Sequence, residues 1–482
     1  MTMTFNPAEL LVLMPELVLL GATLLILMLD LFVEQSSRAL THWLSLLALA
    51  ITAVLVCVGA PETGERMLAF NNMFIRDGVA TILKVFILMT SALSLIYGRN
   101  YLRERKLLIG EIYLLILFAT LGMMLLVSAG SLITVYLGLE LLTLCSYALV
   151  ALNRDSSVSS EAAIKYFVLG ALASGLILYG MSMIYGATVS LDLATIHATI
   201  GTVAHPHLIA FGLVFLIAGI AFKFGAAPFH MWLPDVYQGA PTAITVFIGS
   251  APKLAAFGMA WRLLDGALGP LSAQWTLMLA ILAVLSLVIG NVLAIAQTNL
   301  KRMLAYSTIS HVGFLFLGFV NGSTAGYAAS LFYAISYSIT AAIAFGIMMV
   351  LSRAGFEAEE IDDFRGLAQR SPWYAGMMAV VMFSLAGVPP LFGFFGKLLV
   401  LQAAIDVGYI WLAIVAVVFA IVGIFYYLRV VKVMYFEKAD EGALALPDDK
   451  PLRWVLSLNG LALVVLGVAW GPLFDWCLRS FA

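Results

Sequence analysis

Apolar segments of about 20 residues recur along the whole chain, separated by short polar connections. An α-helix needs about 20 predominantly apolar residues to cross a hydrocarbon core of about 30 Å. Charged residues make up 11% of the 482 residues and hydrophobic residues 63%, whereas a soluble domain carries about 25% charged residues. The pattern therefore predicts an all-α polytopic membrane protein surrounded by the lipid bilayer.

The hydropathy pattern predicts fourteen transmembrane helices. Their approximate limits are 10–33, 40–58, 79–97, 112–128, 131–152, 162–185, 208–229, 241–263, 275–297, 303–320, 327–351, 374–404, 409–430 and 452–477. The longest polar connections are 352–373, which is acidic, and 436–451. We interpret both as solvated loops that contact a neighbouring subunit.

The basic residues between these spans predict the orientation of the chain. Sixteen of them fall in the connections on one side and four on the other, and cytoplasmic loops carry the excess of Lys and Arg. We therefore expect both termini on the outer side of the membrane, and a connection around Arg103 on the inner side.

Composition also excludes several kinds of partner. The formal net charge of −2 argues against nucleic acid as a ligand. Cys57, Cys145 and Cys477 lie in apolar surroundings without a CxxC pattern, so we expect no disulfide, iron–sulfur cluster or metal site in this chain.

Two predicted spans contain helix-breaking residues, which are Gly225 and Pro228 in the seventh and Pro389 and Pro390 in the twelfth. Proline removes a backbone donor and clashes with the preceding turn. Broken helices at matching places in two halves indicate a transport site between repeats. Because the two breaks lie five spans apart, we predict two five-helix repeats, which must be inverted because five is odd.

The predicted repeats divide the chain into four parts. Residues 1–111 hold the first three helices, and residues 112–263 hold the first repeat. Residues 275–430 hold the second repeat, and residues 431–482 hold an inside loop and the last helix.

Four ionisable residues lie inside apolar segments of the repeats. Glu140 and Lys253 are central in their spans, while Lys223 and Lys397 each lie beside a break. Charged groups at membrane depth cost at least about 2.5–3.5 kcal/mol and usually serve function. The alternatives are a carboxylate kept for packing specificity and lysines whose heads reach the interface.

The sequence argues less strongly for a functional role of the other polar residues inside spans. Lys165 lies about one turn inside its span, so interfacial snorkelling is as plausible as a relay. His311 is either a proton relay or a structural histidine, and His230 beside the break is either a relay or a cap. Lys84 lies near a helix end outside both repeats, where a snorkelling side chain is the simpler interpretation, and we assign Glu16 no role.

Proton conduction is the chemistry that suits such a set. Burial disfavours the charged form of a lysine, and a nearby carboxylate favours it again. Alternating Glu and Lys residues can therefore hold and release protons. No nucleophile with a base and no dinucleotide fingerprint occurs in the sequence.

Four stretches resemble the antiporter-like membrane subunits of respiratory complex I, the NADH-quinone oxidoreductase, which are related to the large subunits of Mrp-type Na⁺/H⁺ antiporters. The stretches are GLELLTLCSYALVAL, EAAIKYFVLGALASGLILYG, AGIAFKFGAAPFHMWLPDVYQGAPTAITVFIGSAPKLAAF and NLKRMLAYSTISHVGF. The resemblance covers nearly the whole chain. It implies a fourteen-helix proton-pumping module in the membrane arm.

The resemblance also implies site residues and partners. The family's key residues correspond to Glu140, Lys223, Lys253 and Lys397, the last of which is a glutamate in some relatives. NADH, flavin, iron–sulfur clusters and quinone would be bound by other subunits of the complex, and the neighbours would be other membrane-arm subunits. A stand-alone or Mrp-type cation/proton antiporter subunit is the alternative, and a purely structural scaffold is a third possibility.

Overall fold

The computed structural model describes residues 7–33, 38–353, 355–439 and 450–482. Within these ranges the chain forms twenty α-helices and one two-stranded antiparallel hairpin of β1 (Met67–Ala69) and β2 (Phe74–Arg76). The first ten helices are α1 (Glu9–Val12), α2 (Met14–Asp30), α3 (Ala39–Val58), α4 (Gly78–Glu104), α5 (Gly110–Val127), α6 (Leu132–Val150), α7 (Ser157–Thr188), α8 (Leu193–Thr199), α9 (Pro206–Phe224) and α10 (Trp232–Gly239). The others are α11 (Thr242–Leu264), α12 (Ser272–Ile295), α13 (Leu300–Asn321), α14 (Thr324–Leu351), α15 (Leu367–Arg370), α16 (Pro372–Ala386), α17 (Phe392–Asp406), α18 (Ile410–Phe436), α19 (Lys450–Val468) and α20 (Trp470–Ser480).

The described residues contain 12 helices that are long and apolar enough to cross a membrane. Two further predicted spans take a different form. The first corresponds to α2, which has 17 residues, and the twelfth is divided between α16 and α17. The all-helical membrane class is confirmed, and the count of fourteen spans stays a prediction.

The long helices connect two ends of the bundle. We call one the hairpin end, because it carries β1 and β2 and the bridge from Phe74 to Ala129 just after α5. We call the other the loop end, because it carries the connection 352–366 and the bridge from Asn299 to Glu360 just before α13. Helix α5 therefore starts at the loop end and α12 at the hairpin end, so the corresponding helices of the two repeats run in opposite directions.

Three helices form the interior of the bundle. In α11, α13 and α14, 94% of the most apolar 18-residue window is buried, compared with 39% in α7 and 33% in α18. The periphery therefore presents apolar side chains outward, as helices facing lipid or neighbouring chains do. The ionisable residues predicted at Lys253 and His311 lie on two of the three interior helices.

Both predicted breaks are present, and each begins at a left-handed glycine. Gly225 has φ +78° after α9, and Gly387 has φ +86° after α16. In each break the amide of the next residue bonds a carbonyl five residues earlier, from Ala226 to Ala221 and from Val388 to Phe383. This is the Schellman pattern that ends a helix. The sequence prediction identified Pro389 and Pro390 but missed the glycine that starts the second break.

The structure differs in detail from two sequence expectations, one in the last span and one at the loop end. The predicted span 452–477 is divided into α19 and α20 at Ala469, because Pro472 cannot donate the hydrogen bond that Val468 would accept in a continuous helix. In the connection predicted to be solvated, Glu357 Oε1 accepts hydrogen bonds from Tyr101 Oη at 2.8 Å and Arg105 Nε at 2.5 Å. Most of the other connection, 436–451, lies outside the described residues.

A second contact holds the same connection to the interior. Lys301 at the start of α13 is buried, and its Nζ lies 2.8 Å from the Ala240 carbonyl and 3.1 Å from Glu359 Oε1. Ala240 joins α10 to α11, and the next amide, of Thr242, donates to Tyr101 Oη. The acidic connection is therefore packed against the junction that follows the first break.

Candidate functional site

Lys253 lies in the middle of the buried helix α11, directly after Pro252. Its Nζ donates to the Phe224 carbonyl at 2.6 Å. The last carbonyls of a helix have no partner within the helix, and Phe224 is the residue where α9 ends. The buried ammonium thus satisfies an acceptor that the first break creates.

Lys223 shares a small cavity with Lys253. The cavity has a volume of ≈ 30 Å³, and Thr143, Ser146 and Trp232 are among its other lining residues. A water molecule needs at least about 10–15 Å³ and two or more polar partners. The cavity therefore has room for water between two lysine side chains and two hydroxyl groups. Lys223 Nζ itself donates to Ser174 Oγ at 3.2 Å.

Lys397 repeats the arrangement at the second break. Its buried Nζ donates to the carbonyls of Leu385 and Ala386, both at 2.9 Å. These are the last two residues of α16. A Cβ on Gly387 would lie 2.9 Å from the Lys397 side chain, so the left-handed glycine also provides the space in which the lysine reaches the carbonyls.

His311 lies near Lys397 in a network of buried hydroxyl groups. Its Nδ1 is 2.6 Å from Tyr333 Oη and its Nε2 is 3.0 Å from Tyr427 Oη. Tyr427 Oη also forms a very short hydrogen bond with Ser307 Oγ. A neutral imidazole donates through one nitrogen and accepts through the other. The ring can therefore pass a proton between the two tyrosine hydroxyls by exchanging tautomers.

Glu140 lies on α6, on the side of the helix that is least covered. Ile133, Leu137 and Leu144 are exposed on the same side, and Glu140 itself is partly buried. Its Oε1 is buried without a hydrogen-bond partner. The carboxylate acts electrostatically on Lys223, yet the Lys223 ammonium bonds Ser174. Glu140 is therefore close enough to influence Lys223 and remains available for another partner.

The remaining predicted relay residues are not joined to this cluster by hydrogen bonds. Lys165 is half-exposed and pairs with Asp235 at 2.7 Å and Glu161 at 2.8 Å. Asp235 also pairs with Arg302 at 2.7 Å. His230 lies in the first break, and its Nδ1 is buried without a partner. Lys165 therefore links α7 to α10 near the loop end, and the choice between a relay and an interfacial side chain stays a prediction.

Sequence reasoning missed two buried ion pairs near the hairpin end. Lys84 Nζ lies 2.7 Å from Glu16 Oε1, and both side chains are 3% exposed. Arg262 forms a bidentate pair with Asp77, at 2.6 and 2.8 Å. Lys84 looked like a snorkelling residue because it lies near a helix end. The signal that could have found the pair was Glu16, a carboxylate in the first apolar span.

Comparisons with known proteins cover nearly the whole chain. The family model described as "NADH:quinone oxidoreductase/Mrp antiporter, TM" matches residues 129–423, and the model described as "NAD(P)H-quinone oxidoreductase subunit 2 N-terminal" matches residues 5–99. A protein of Xanthomonas euvesicatoria pv. vesicatoria named NADH-quinone oxidoreductase subunit N is 57% identical over 475 residues, covering 98% of this chain and 97% of the relative. The chain belongs to the subunit N family of NADH-quinone oxidoreductase, the respiratory complex I.

Other relatives agree with this assignment. The subunit N protein of Thioalkalivibrio sulfidiphilus is 54% identical over 477 residues, covering 98% of each chain. A chain in the structure of respiratory complex I from Thermus thermophilus with bound aureothin is 31% identical, with a TM-score of 0.80 over 96% of this chain and 98% of that chain. A chain of the Mrp complex from Dietzia has a TM-score of 0.84 at 20% identity, covering 99% and 97%, and shares the fold.

The family and the geometry together define what the site can do chemically. Lys253 and Lys397 are buried cations whose described hydrogen-bond partners are neutral carbonyls. Neutral carbonyls stabilise an ammonium less than a carboxylate does. The protonation of these lysines in a subunit N protein therefore responds strongly to any charge that approaches or leaves.

Proposed function

We propose that this chain is a proton-translocating subunit of the membrane arm of complex I, driven by quinone reduction elsewhere in the complex. The transferred protons are held by Glu140, Lys223, Lys253 and Lys397. His311 and its tyrosine hydroxyls carry protons within the second repeat. In this scheme residues 112–263 and 275–430 are the two inverted repeats that hold the site, flanked by residues 1–111 and 431–482.

The bond from Lys253 to the Phe224 carbonyl is the observation that carries the proposal. A structural lysine in the membrane interior is expected to have a carboxylate partner, since an uncompensated buried charge is costly. Lys253 instead bonds a backbone carbonyl and borders a cavity that can hold water. A lysine in this environment can become neutral without leaving a carboxylate unpaired, which is the property a proton carrier needs.

In the proposed complex the redox chemistry belongs to other subunits. NADH, flavin, iron–sulfur clusters and quinone are bound by other subunits, and this chain contacts other membrane-arm subunits and lipid. We place it in the bacterial inner membrane with the hairpin end and both termini outside, and we expect no nucleic acid partner. Labelling a cysteine at Arg103 from the cytoplasmic side tests the orientation, and labelling from the periplasmic side alone would contradict it.

The test of the function is Lys253→Met in the assembled complex. We expect the rate of proton translocation to fall by about tenfold or more, because a positioned proton-transfer group typically contributes about 100-fold or more to a rate. Methionine preserves most of the apolar stem but leaves the Phe224 carbonyl unsatisfied, at a cost of about 1–3 kcal/mol. The amount of assembled complex must therefore be measured in parallel.

The matched control is Lys432→Met, which makes the same change at a lysine whose side chain is 71% exposed. We expect this variant to assemble and translocate protons as the unmodified complex does. A Lys253→Met complex that assembles and retains full translocation would refute the proposed role of the site.

A further inference from the structure

The pair between Glu16 and Lys84 lies outside both repeats, and no part of the proposed function uses it. Glu16 is in the first turn of α2, and Lys84 is in the second turn of α4. Glu16 Oε2 is buried without a hydrogen-bond partner. The lysine has a further contact with the Phe74 ring, whose centroid is 4.9 Å from Nζ. Glu16 therefore retains a buried acceptor that the fold does not satisfy.

The neighbouring pair on the same helix is built differently. Asp77 accepts two hydrogen bonds from Arg262 and one from the Ala80 amide at 2.9 Å, so both carboxylate oxygens are bonded. Arg262 Nε additionally donates to the Val127 carbonyl at 3.0 Å. Arginine stays protonated with a pKa above about 12, whereas a buried lysine can lose its proton. The Arg262–Asp77 pair is therefore a fixed structural link, whereas the lysine of the Glu16–Lys84 pair can change its charge.

A cavity at the hairpin end reaches the first turn of α4. It has a volume of ≈ 240 Å³, and Thr81 on α4 is among its lining residues. Glu62, Glu65 and Arg66, which also line it, are exposed. Lys84 itself does not line the cavity but lies three residues beyond Thr81, about 4.5 Å further along the helix axis.

We propose that Glu16 and Lys84 form a further proton-exchange site outside the two repeats, which exchanges protons with the medium at the hairpin end. In the ion pair the Lys84 ammonium passes its proton to the Glu16 carboxylate, and the resulting carboxylic acid releases that proton into the cavity. The neutral Lys84 amine then takes up a proton delivered from the repeats, which restores the ion pair. Arg76 and Asp77 are the other charged groups that act on Lys84. The inference rests on the proposed function, because it needs protons to be delivered to this side.

The test compares Lys84→Arg and Glu16→Gln in the assembled complex. Arginine preserves the ion pair but cannot release a proton, and glutamine preserves the shape of the side chain but cannot take a proton up. We expect both variants to assemble and to translocate at most half as many protons per quinone reduced as the unmodified complex. Lys432→Arg serves as the control for the lysine-to-arginine change.

The other outcomes overturn the inference. Full translocation in both variants would make the pair a structural salt bridge, and so would failure of both to assemble. If Lys84→Arg alone fails to assemble, Glu16→Gln decides. The Lys253→Met complex, prepared and measured in the same way, separates the two proposals. If Lys253→Met loses translocation while Lys84→Arg translocates normally, this inference is rejected and the proposed function stands.

Discussion

The two predicted repeats share one local arrangement with different chain connectivity. In each of them a left-handed glycine ends a helix, and a buried lysine donates to carbonyls at the end of that helix. In the first repeat the lysine comes from another helix, since Lys253 on α11 reaches Phe224 on α9. In the second repeat it comes from the same broken span, since Lys397 on α17 reaches Leu385 and Ala386 on α16.

The surroundings of the two lysines also differ. The first repeat has a cavity with room for water and a second lysine, Lys223. The second has a network of hydroxyl groups around His311. The difference suggests that what the two repeats share is the carbonyl-capped lysine, whereas the route by which a proton reaches it can be built from water or from side chains.

We expect the largest effect in the first repeat, from changes to Lys223 and Lys253. Because both lysines border one cavity, we expect each change to alanine to lower proton translocation by about tenfold or more. The double variant should lose less than the sum of the two losses on a logarithmic scale, because neighbouring groups in one pathway couple. Strictly additive losses, measured in complexes of equal assembly, would argue that the residues act independently.

Lys397→Arg is the sharpest test of the second repeat. Arginine can still donate to the Leu385 and Ala386 carbonyls, so the complex should assemble. It cannot release a proton, so we expect proton translocation to fall by about fivefold or more. Normal translocation by this variant would mean that Lys397 serves only to cap α16, and the likeness between the repeats would then be structural.

Tyr427→Phe tests whether the hydroxyl network replaces the cavity in the second repeat. The change removes the hydroxyl that bonds both His311 and Ser307, at a cost to stability of about 1 kcal/mol per hydrogen bond, so the complex should still assemble. Because the path through His311 then lacks one of its two tyrosine hydroxyls, we expect translocation to fall by about fivefold. The control is Tyr179→Phe on the exposed face of α7, whose ring packs on Phe215. Equal behaviour of the two variants would remove the network from the pathway.

The smallest effect is expected at Lys165. Its half-exposed side chain pairs with Glu161 and Asp235 outside the cluster, and exposed ion pairs contribute little. Lys165→Gln should leave translocation within about twofold of the unmodified complex. A larger loss at normal assembly would extend the site of the first repeat to the loop end.

The charged residues of the proposed site were selected because a charge stands out in an apolar run. Glu140, Lys223, Lys253 and Lys397 were recognised in this way, and both breaks were recognised from glycine and proline. Gly387 was missed, although a glycine two residues before a proline is a common helix ending. The carbonyl partners could not be predicted, because backbone acceptors leave no mark in the sequence.

The ion pairs depended on tertiary structure in the same way. Neither Lys84 nor Glu16 indicates a functional site by itself, since one lies near a helix end and the other in a span outside the repeats. Only the tertiary structure brings their side chains within 2.7 Å. Glu357 was assigned to a solvated loop because its neighbours in sequence are acidic, whereas its partners Tyr101 and Arg105 lie far away in the chain.

The acidic connection at the loop end has a mechanical consequence. Glu357 is bonded to α4, and Glu359 is bonded to Lys301, which also donates to the Ala240 carbonyl. The start of α13 and the junction between α10 and α11 are therefore held together by side chains of one short stretch of the chain. A rocking motion of one half against the other would have to pull carboxylates away from buried cations. We therefore expect the two halves to keep a fixed relative tilt, and strain to be relieved by shifts of side chains and water.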